Sequence, residues 1–358
     1  MSSFRNITTT QVFLIGLLAI WTVACSAFKP SDSSLNRGLA TENPGGTASL
    51  ASVEVPIYQT PQATTAGAAW IRQSIFVQVG SGSATEALLD TGSVGLRVLR
   101  SALTPGTYTD TGVAISAGFA AGSTTGTVGM AIVKVGSMAT AVAIPFEIID
   151  QVSCGGSVCP FPNDSFFGSG TKGQFVALIG TSLKGDTLPN PLTQMGSHLW
   201  TVKLPLPTDV APGQLTLNLD NAVSNGFTLF QLARQTTPNG LWADNQIPSC
   251  LYLNGNQHSC KGASIDTGGF NVRDILIAGA SNSQGQAVTG VQSDIEFTNQ
   301  SGAVVRVDFT VGSGQGTKIF LATDQTQVRN LNTGPLPLWT YTMLFDSDNG
   351  RIGFGARQ

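Results

Sequence analysis

The chain has 358 residues, enough for two lobes around a large core, yet only 11% are charged while glycine alone numbers 42. This excludes a fold dominated by salt-bridged helices. A formal net charge of −3, with no basic block anywhere, argues against a nucleic-acid partner.

The first segment reads as targeting rather than fold: Arg5 supplies a positive start and Val12 to Ala24 an apolar run. It ends at Thr22-Val23-Ala24-Cys25, which resembles a bacterial lipoprotein processing site with Cys25 as the acylated residue. An ordinary cleaved signal and an uncleaved anchor are the alternatives. Ser26 resembles the residue found in lipoproteins released to the outer membrane. The expectation is an exported protein of the bacterial cell envelope, held to a membrane by lipid on Cys25 and facing periplasm or exterior. Residues 26–50, rich in Ser, Gly, Asn, Thr and Pro, read as a flexible tether.

Short apolar runs bounded by Gly and Ser, such as Trp70 to Val79, then predict a mainly β body. Residues 51–206 form its first half and 207–358 its second, where Gly213 to Leu219 reads as a strand. No low-complexity linker separates the halves, so packed lobes are expected. Each half carries one Asp-Thr-Gly directly after an apolar run, Asp90-Thr91-Gly92 and Asp266-Thr267-Gly268. An alanine stands three positions before each aspartate (Ala87, Ala263), and an arginine seven positions after it (Arg97, Arg273). This looks like a duplicated half-domain with one carboxylate per half, and two facing carboxylates can share a proton and activate water. A third triplet, Asp110-Thr111-Gly112, follows a polar, turn-like stretch and lacks these flanks, so it reads as a turn. Besides Cys25, four cysteines fall into two local pairs, Cys154 with Cys159 and Cys250 with Cys260. In an exported chain these are the simplest disulfides. A metal site is the alternative, but His198 and His258 are the only histidines. No metal and no other cofactor is expected.

Four blocks in this order resemble the pepsin-like aspartic peptidases. Leu88 to Ser93 looks like the first catalytic loop, and Phe119-Ala120-Ala121-Gly122-Ser123 onward looks like the flap hairpin. Ala177-Leu178-Ile179-Gly180 resembles the strand beside the catalytic loop. Ile265 to Gly268, with the terminal stretch Leu344 to Gly355, resembles the second loop and closing hairpin. The resemblance implies a two-lobed, double-β-barrel fold with a central cleft. It implies Asp90 and Asp266 as the catalytic pair, with Thr91, Gly92, Ser93, Thr267 and Gly268 in support. It also implies a flap whose Phe119, Gly122 and Ser123 face a peptide or protein substrate. Ser93 would donate to Asp90. Both half-sites lie in one chain, so a monomer is expected.

Several positions depart from the family pattern. Phe119 and Arg97 stand where the flap Tyr and its Trp partner usually do. Gly269-Phe270 replaces a Thr/Ser pair after the second triplet. Asn332-Thr333-Gly334 keeps only the glycine of the second neighbouring strand. These departures leave a second function open, a pepsin-fold protein that binds peptides or a partner protein without cleaving. Arg97 and Arg273 read either as cleft residues that select acidic substrates or as local partners of carboxylates on strand surfaces.

Overall fold

The computed structural model describes residues 51–63, 69–119, 122–154, 175–235, 241–277, 284–286 and 289–357. The Cys25 site, the tether and the Cys154–Cys159 pairing lie outside them. Residues Ser49–Gln358 form one compact unit. The body is mainly β and two-lobed, as the sequence implied, and among the described residues helices are confined to short pieces such as Pro191–Gln194 and Leu336–Thr340.

Burial follows the pattern of the strands. In Val304–Thr310, Val305, Val307 and Phe309 are buried while their neighbours face outward, the period-2 alternation of a half-exposed strand. Ala84–Asp90 instead ends in a continuous buried run, because strands and side chains cover both of its faces.

The two halves repeat one topological unit. In the first, Ala177–Thr181 inserts between the two strands flanking the Asp-Thr-Gly turn. It runs parallel to Ala84–Asp90 and antiparallel to Val94–Leu99. In the second, Val328–Asn332 runs parallel to Gly262–Ser264 and antiparallel to Val272–Leu276. Each unit therefore carries its aspartate at or just past the end of a central strand: Asp90 ends Ala84–Asp90, and Asp266 lies two residues beyond Gly262–Ser264.

A further sheet is shared by both ends of the body. Val53–Ala63 pairs with Gly213–Leu217 through its first part, which continues through Leu199–Lys203 to the terminal hairpin Tyr341–Asp346 and Arg351–Ala356. The hairpin expected from Leu344 to Gly355 is thus present. The sequence boundary at 206/207 falls in the turn of a hairpin inside this sheet.

Candidate active site

The two triplets meet at the centre of the body and hold each other in a near-symmetric lattice. Thr91 Oγ1 donates to the Ile265 carbonyl at 2.8 Å and accepts from the Thr267 amide at 3.1 Å. Reciprocally, Thr267 Oγ1 donates to the Leu89 carbonyl at 2.6 Å and accepts from the Thr91 amide at 3.0 Å. Both threonines are buried. Every polar atom of this lattice is paired, so each loop fixes the other.

The glycines face the opposite carboxylate. A Cβ on Gly92 would stand 2.4 Å from the Asp266 carboxyl carbon, and one on Gly268 would stand 2.6 Å from Asp90 Oδ1. Only a residue without a side chain lets the backbone come this close.

Donors surround both carboxylates. Asp90 accepts from the Gly92 amide at 2.8 Å and from the Ser93 hydroxyl at 2.5 Å. Asp266 accepts from the Gly269 amide at 3.0 Å and from Asn332 Nδ2 at 2.5 Å. Burial and the neighbouring Asp90 charge raise the Asp266 pKa to about 7, against the opposing pull of the Asn332 hydrogen bond and of Lys184. One proton therefore stays on the pair well above the ordinary carboxylate range, on the Asp266 side.

Two cations stand beside the pair that the motifs do not announce. Arg72, buried on the strand Ala69–Val79, donates to the Gly268 carbonyl at 2.5 Å. Its guanidinium lies 3.7 Å from the centre of the Phe270 ring, which packs on Trp70 at 3.8 Å. Burial lowers the Arg72 pKa to about 9, partly offset by the charges of Asp90 and Asp266. Lys184 donates to the Gly92 carbonyl at 2.6 Å and offsets the charge of the buried Asp244. A charged residue inside the apolar run Trp70 to Val79 was the one available sequence signal for Arg72.

A cavity of about 520 Å³ lies beside the two carboxylates, lined by Asp266, Ser93, Asn332 and Lys184 on its floor and by Ser116 to Phe119 of the facing hairpin; Asp90 itself is buried and does not line it. That hairpin pairs Thr109–Phe119 with Gly122–Ala131, as a flap would. Phe119 lines the cavity and packs on the small buried cluster of Leu88, Ile149, Phe175 and Leu178. Gly122 and Ser123 do not line it. They pair with Cys154 and Ser153 on the returning strand, and the outgoing residues Ser116 to Gly118 take the cavity-facing place.

Arg97 also lines the cavity, but its guanidinium is committed to buried Glu147 at 3.0 Å and to the Val94 carbonyl at 2.6 Å. The local-partner reading of Arg97 is the one its geometry follows. The third triplet is not the turn its polar flanks suggested: it lies on the exposed strand Thr109–Phe119, where the pairing register shifts between Asp110 and Ala114, and Asp110 is ion-paired to Arg100 at 2.8 Å. Cys250 and Cys260 form a disulfide.

Residues 83–178 match the model of a family described as a protein of unknown function (DUF3443). No curated protein matches the chain. Among solved structures, the aspartic proteinase from Irpex lacteus superposes with a TM-score of 0.56 at 16% identity, over 86% of this chain and 98% of that one. At that identity the likeness is one of fold: this chain has the two-lobed architecture of a pepsin-like aspartic proteinase.

Proposed function

We propose that the chain is an aspartic-type endopeptidase, exported and tethered to the cell envelope through lipid on Cys25, that hydrolyses peptide bonds in the cleft between its lobes. The observation that carries this reading is the pair of carboxylates, each packed on the other loop's glycine, with one proton retained between them. In the proposed reaction Asp90, which accepts hydrogen bonds from the Ser93 hydroxyl and the Gly92 amide, takes a proton from a water in the cleft. Protonated Asp266 hydrogen-bonds the scissile carbonyl oxygen, so charge developing there is stabilised as the water oxygen attacks. Collapse of the tetrahedral species expels the amine, which takes the proton that Asp90 had received from the water, so both carboxyls return to their starting state and no covalent enzyme intermediate forms. Fold likeness alone does not assign activity, so the proposal stands on the site.

A second reading, a cleft that binds peptides without cleaving them, is favoured by Lys184. Its ammonium occupies the Gly92 carbonyl on the cavity floor and weakens the charge coupling on which the shared proton depends. One experiment separates the two. Full-length protein is incubated with a mixed peptide library between about pH 3 and about pH 7, and products are read by mass spectrometry. Cleavage by the wild type that falls roughly a thousandfold in Asp90→Asn and in Asp266→Asn supports the peptidase. A folded wild type that cuts nothing across this range, yet retains peptides on a pull-down, sinks it in favour of the binder.

A further inference from the structure

The two loops share Asp-Thr-Gly and differ at the position that follows it. Three residues past Asp90 stands Ser93, whose hydroxyl bonds Asp90 Oδ2. Three residues past Asp266 stands Gly269, which has no side chain to give. Asp266 nevertheless receives a side-chain hydrogen bond, and it comes from a residue 66 positions away, Asn332.

Strand register identifies what Asn332 replaces. In the first half, Ala87 pairs with Ala177 and Leu88 with Leu178. In the second, Ala263 pairs with Leu331 and Ser264 with Asn332. Ala87 and Ala263 each precede their aspartate by three residues, so Asn332 occupies the place of Leu178. The opposite edge agrees, since Leu178 faces Arg97 and Asn332 faces Arg273, each seven residues past its aspartate. Leu178 is a buried core residue. The exchange is reciprocal: the first half has a hydroxyl in the loop and a leucine on the strand, the second has an empty loop position and an amide on the strand.

The amide is oriented and fitted. Asn332 Oδ1 accepts from the Gly334 amide at 2.8 Å, which leaves Nδ2 directed at the carboxylate. A Cβ on Gly269 would stand 3.1 Å from Asn332 Oδ1 and 3.3 Å from Asp266 Oδ2, tighter than ordinary contact. Gly269 therefore makes the room that Asn332 uses.

We infer that Asn332 is the positioning residue of the second carboxylate, supplying from the neighbouring strand the hydrogen bond that a loop hydroxyl supplies to the first, and that Gly269 is its obligate complement. This deepens the proposed function at the same site, so the test reads the carboxyl itself and not turnover. Full-length protein labelled with carbon-13 at the aspartate carboxyls is titrated by NMR from about pH 3 to about pH 9, with the Asp266 signal assigned by its loss in Asp266→Asn. Removing a hydrogen bond to the charged form raises its pKa. In Asn332→Ala the Asp266 midpoint is expected to rise by about 1 to 2 units. Adding Gly269→Ser to that variant fills the vacated space with a hydroxyl and is expected to recover at least half of the rise. Asn332→Leu, which carries the first half's residue, keeps the volume and gives the same rise if the smaller side chain proves unstable. A folded Asn332→Ala or Asn332→Leu that titrates like wild type overturns the inference, as does a double variant indistinguishable from Asn332→Ala. A wild type that cleaves no peptide defeats the peptidase reading while leaving this titration informative.

Discussion

The Arg97 guanidinium lies 5.5 Å from the centre of the Phe119 ring, so a cation under an aromatic face joins the hairpin over the cavity to the strand that follows the first Asp-Thr-Gly. The two positions that depart together from the family pattern are thus partners in space. Glu147 holds the guanidinium in place from the next strand, and its own pKa is raised chiefly by burial. Replacing Arg97 by Met would strand that carboxylate in the interior, and a loss of about 3–5 kcal/mol is expected by urea denaturation. Arg97→Met combined with Glu147→Leu should recover most of it. If the double variant is as unstable as the single one, the ion pair is not what Arg97 contributes.

Gly92→Ala should leave the fold standing and disable the site, because its methyl group would overlap the Asp266 carboxyl. Gly112→Ala, in the surface triplet, is the control. Nothing lies within 4 Å of its Cβ, and only its positive φ of 70° is strained, at about 1–2 kcal/mol. Peptide cleavage lost in the first and kept in the second is the expected pattern. Equal activity in both would mean that the carboxylates need not approach this closely.

Thr91→Val removes the hydroxyl that serves both the Ile265 carbonyl and the Thr267 amide. Each buried group left without a partner costs about 1–3 kcal/mol, whereas Thr91→Ser keeps the oxygen. Hydrogen exchange at the Thr267 amide should speed up in the valine variant and stay slow in the serine variant. Fast exchange in wild type would show that the lattice does not hold the loops.

Asp266 gives the protein a pH dependence of stability with a definite sign. Its folded pKa of about 7 stands above the ordinary 3.8, so the folded state binds the proton more tightly than the unfolded chain does. That contribution is present in acid and is lost as pH rises through the folded value. Asp266→Asn, which carries no charge to lose, should melt higher than wild type at pH near 7, by on the order of a few degrees. The gap should close toward pH 4. A gap that is constant across that window would place the proton elsewhere.

What the sequence disclosed was the part of the site written in local patterns. Asp90 and Asp266 are legible because each triplet carries the same flanks, set by a strand that must be buried before the turn and packed again after it. The flanks also separate both from Asp110, whose surroundings are polar and whose carboxylate serves a surface ion pair to Arg100 and the Gly112 amide. Asn332 was legible only as a break in an apolar strand. Its meaning depends on a hydrogen bond spanning 66 positions and on the empty space at Gly269, neither of which a linear pattern contains. Arg72 was hidden for a similar reason: a strand alternation says which face a side chain takes, not that its guanidinium will end on the Gly268 carbonyl 196 positions away. Of the flap, the hairpin was readable, but which of its two strands faces the cavity was not, since both carry small residues there.

The shared sheet has a consequence for how the molecule comes into being. Val53–Ala63 has no partner in that sheet until Gly213–Leu217 has followed it. The middle strand Leu199–Lys203 pairs early with Gly213–Leu217 but gains its second neighbour only when Tyr341–Asp346 has been made. Pairings this distant in sequence form slowly and only after their last member is made. Leu199–Lys203 therefore keeps one open edge until Tyr341–Asp346 has been made, and a chain lacking that strand and Arg351–Ala356 would keep both aspartates while leaving this edge of the shared sheet unpaired.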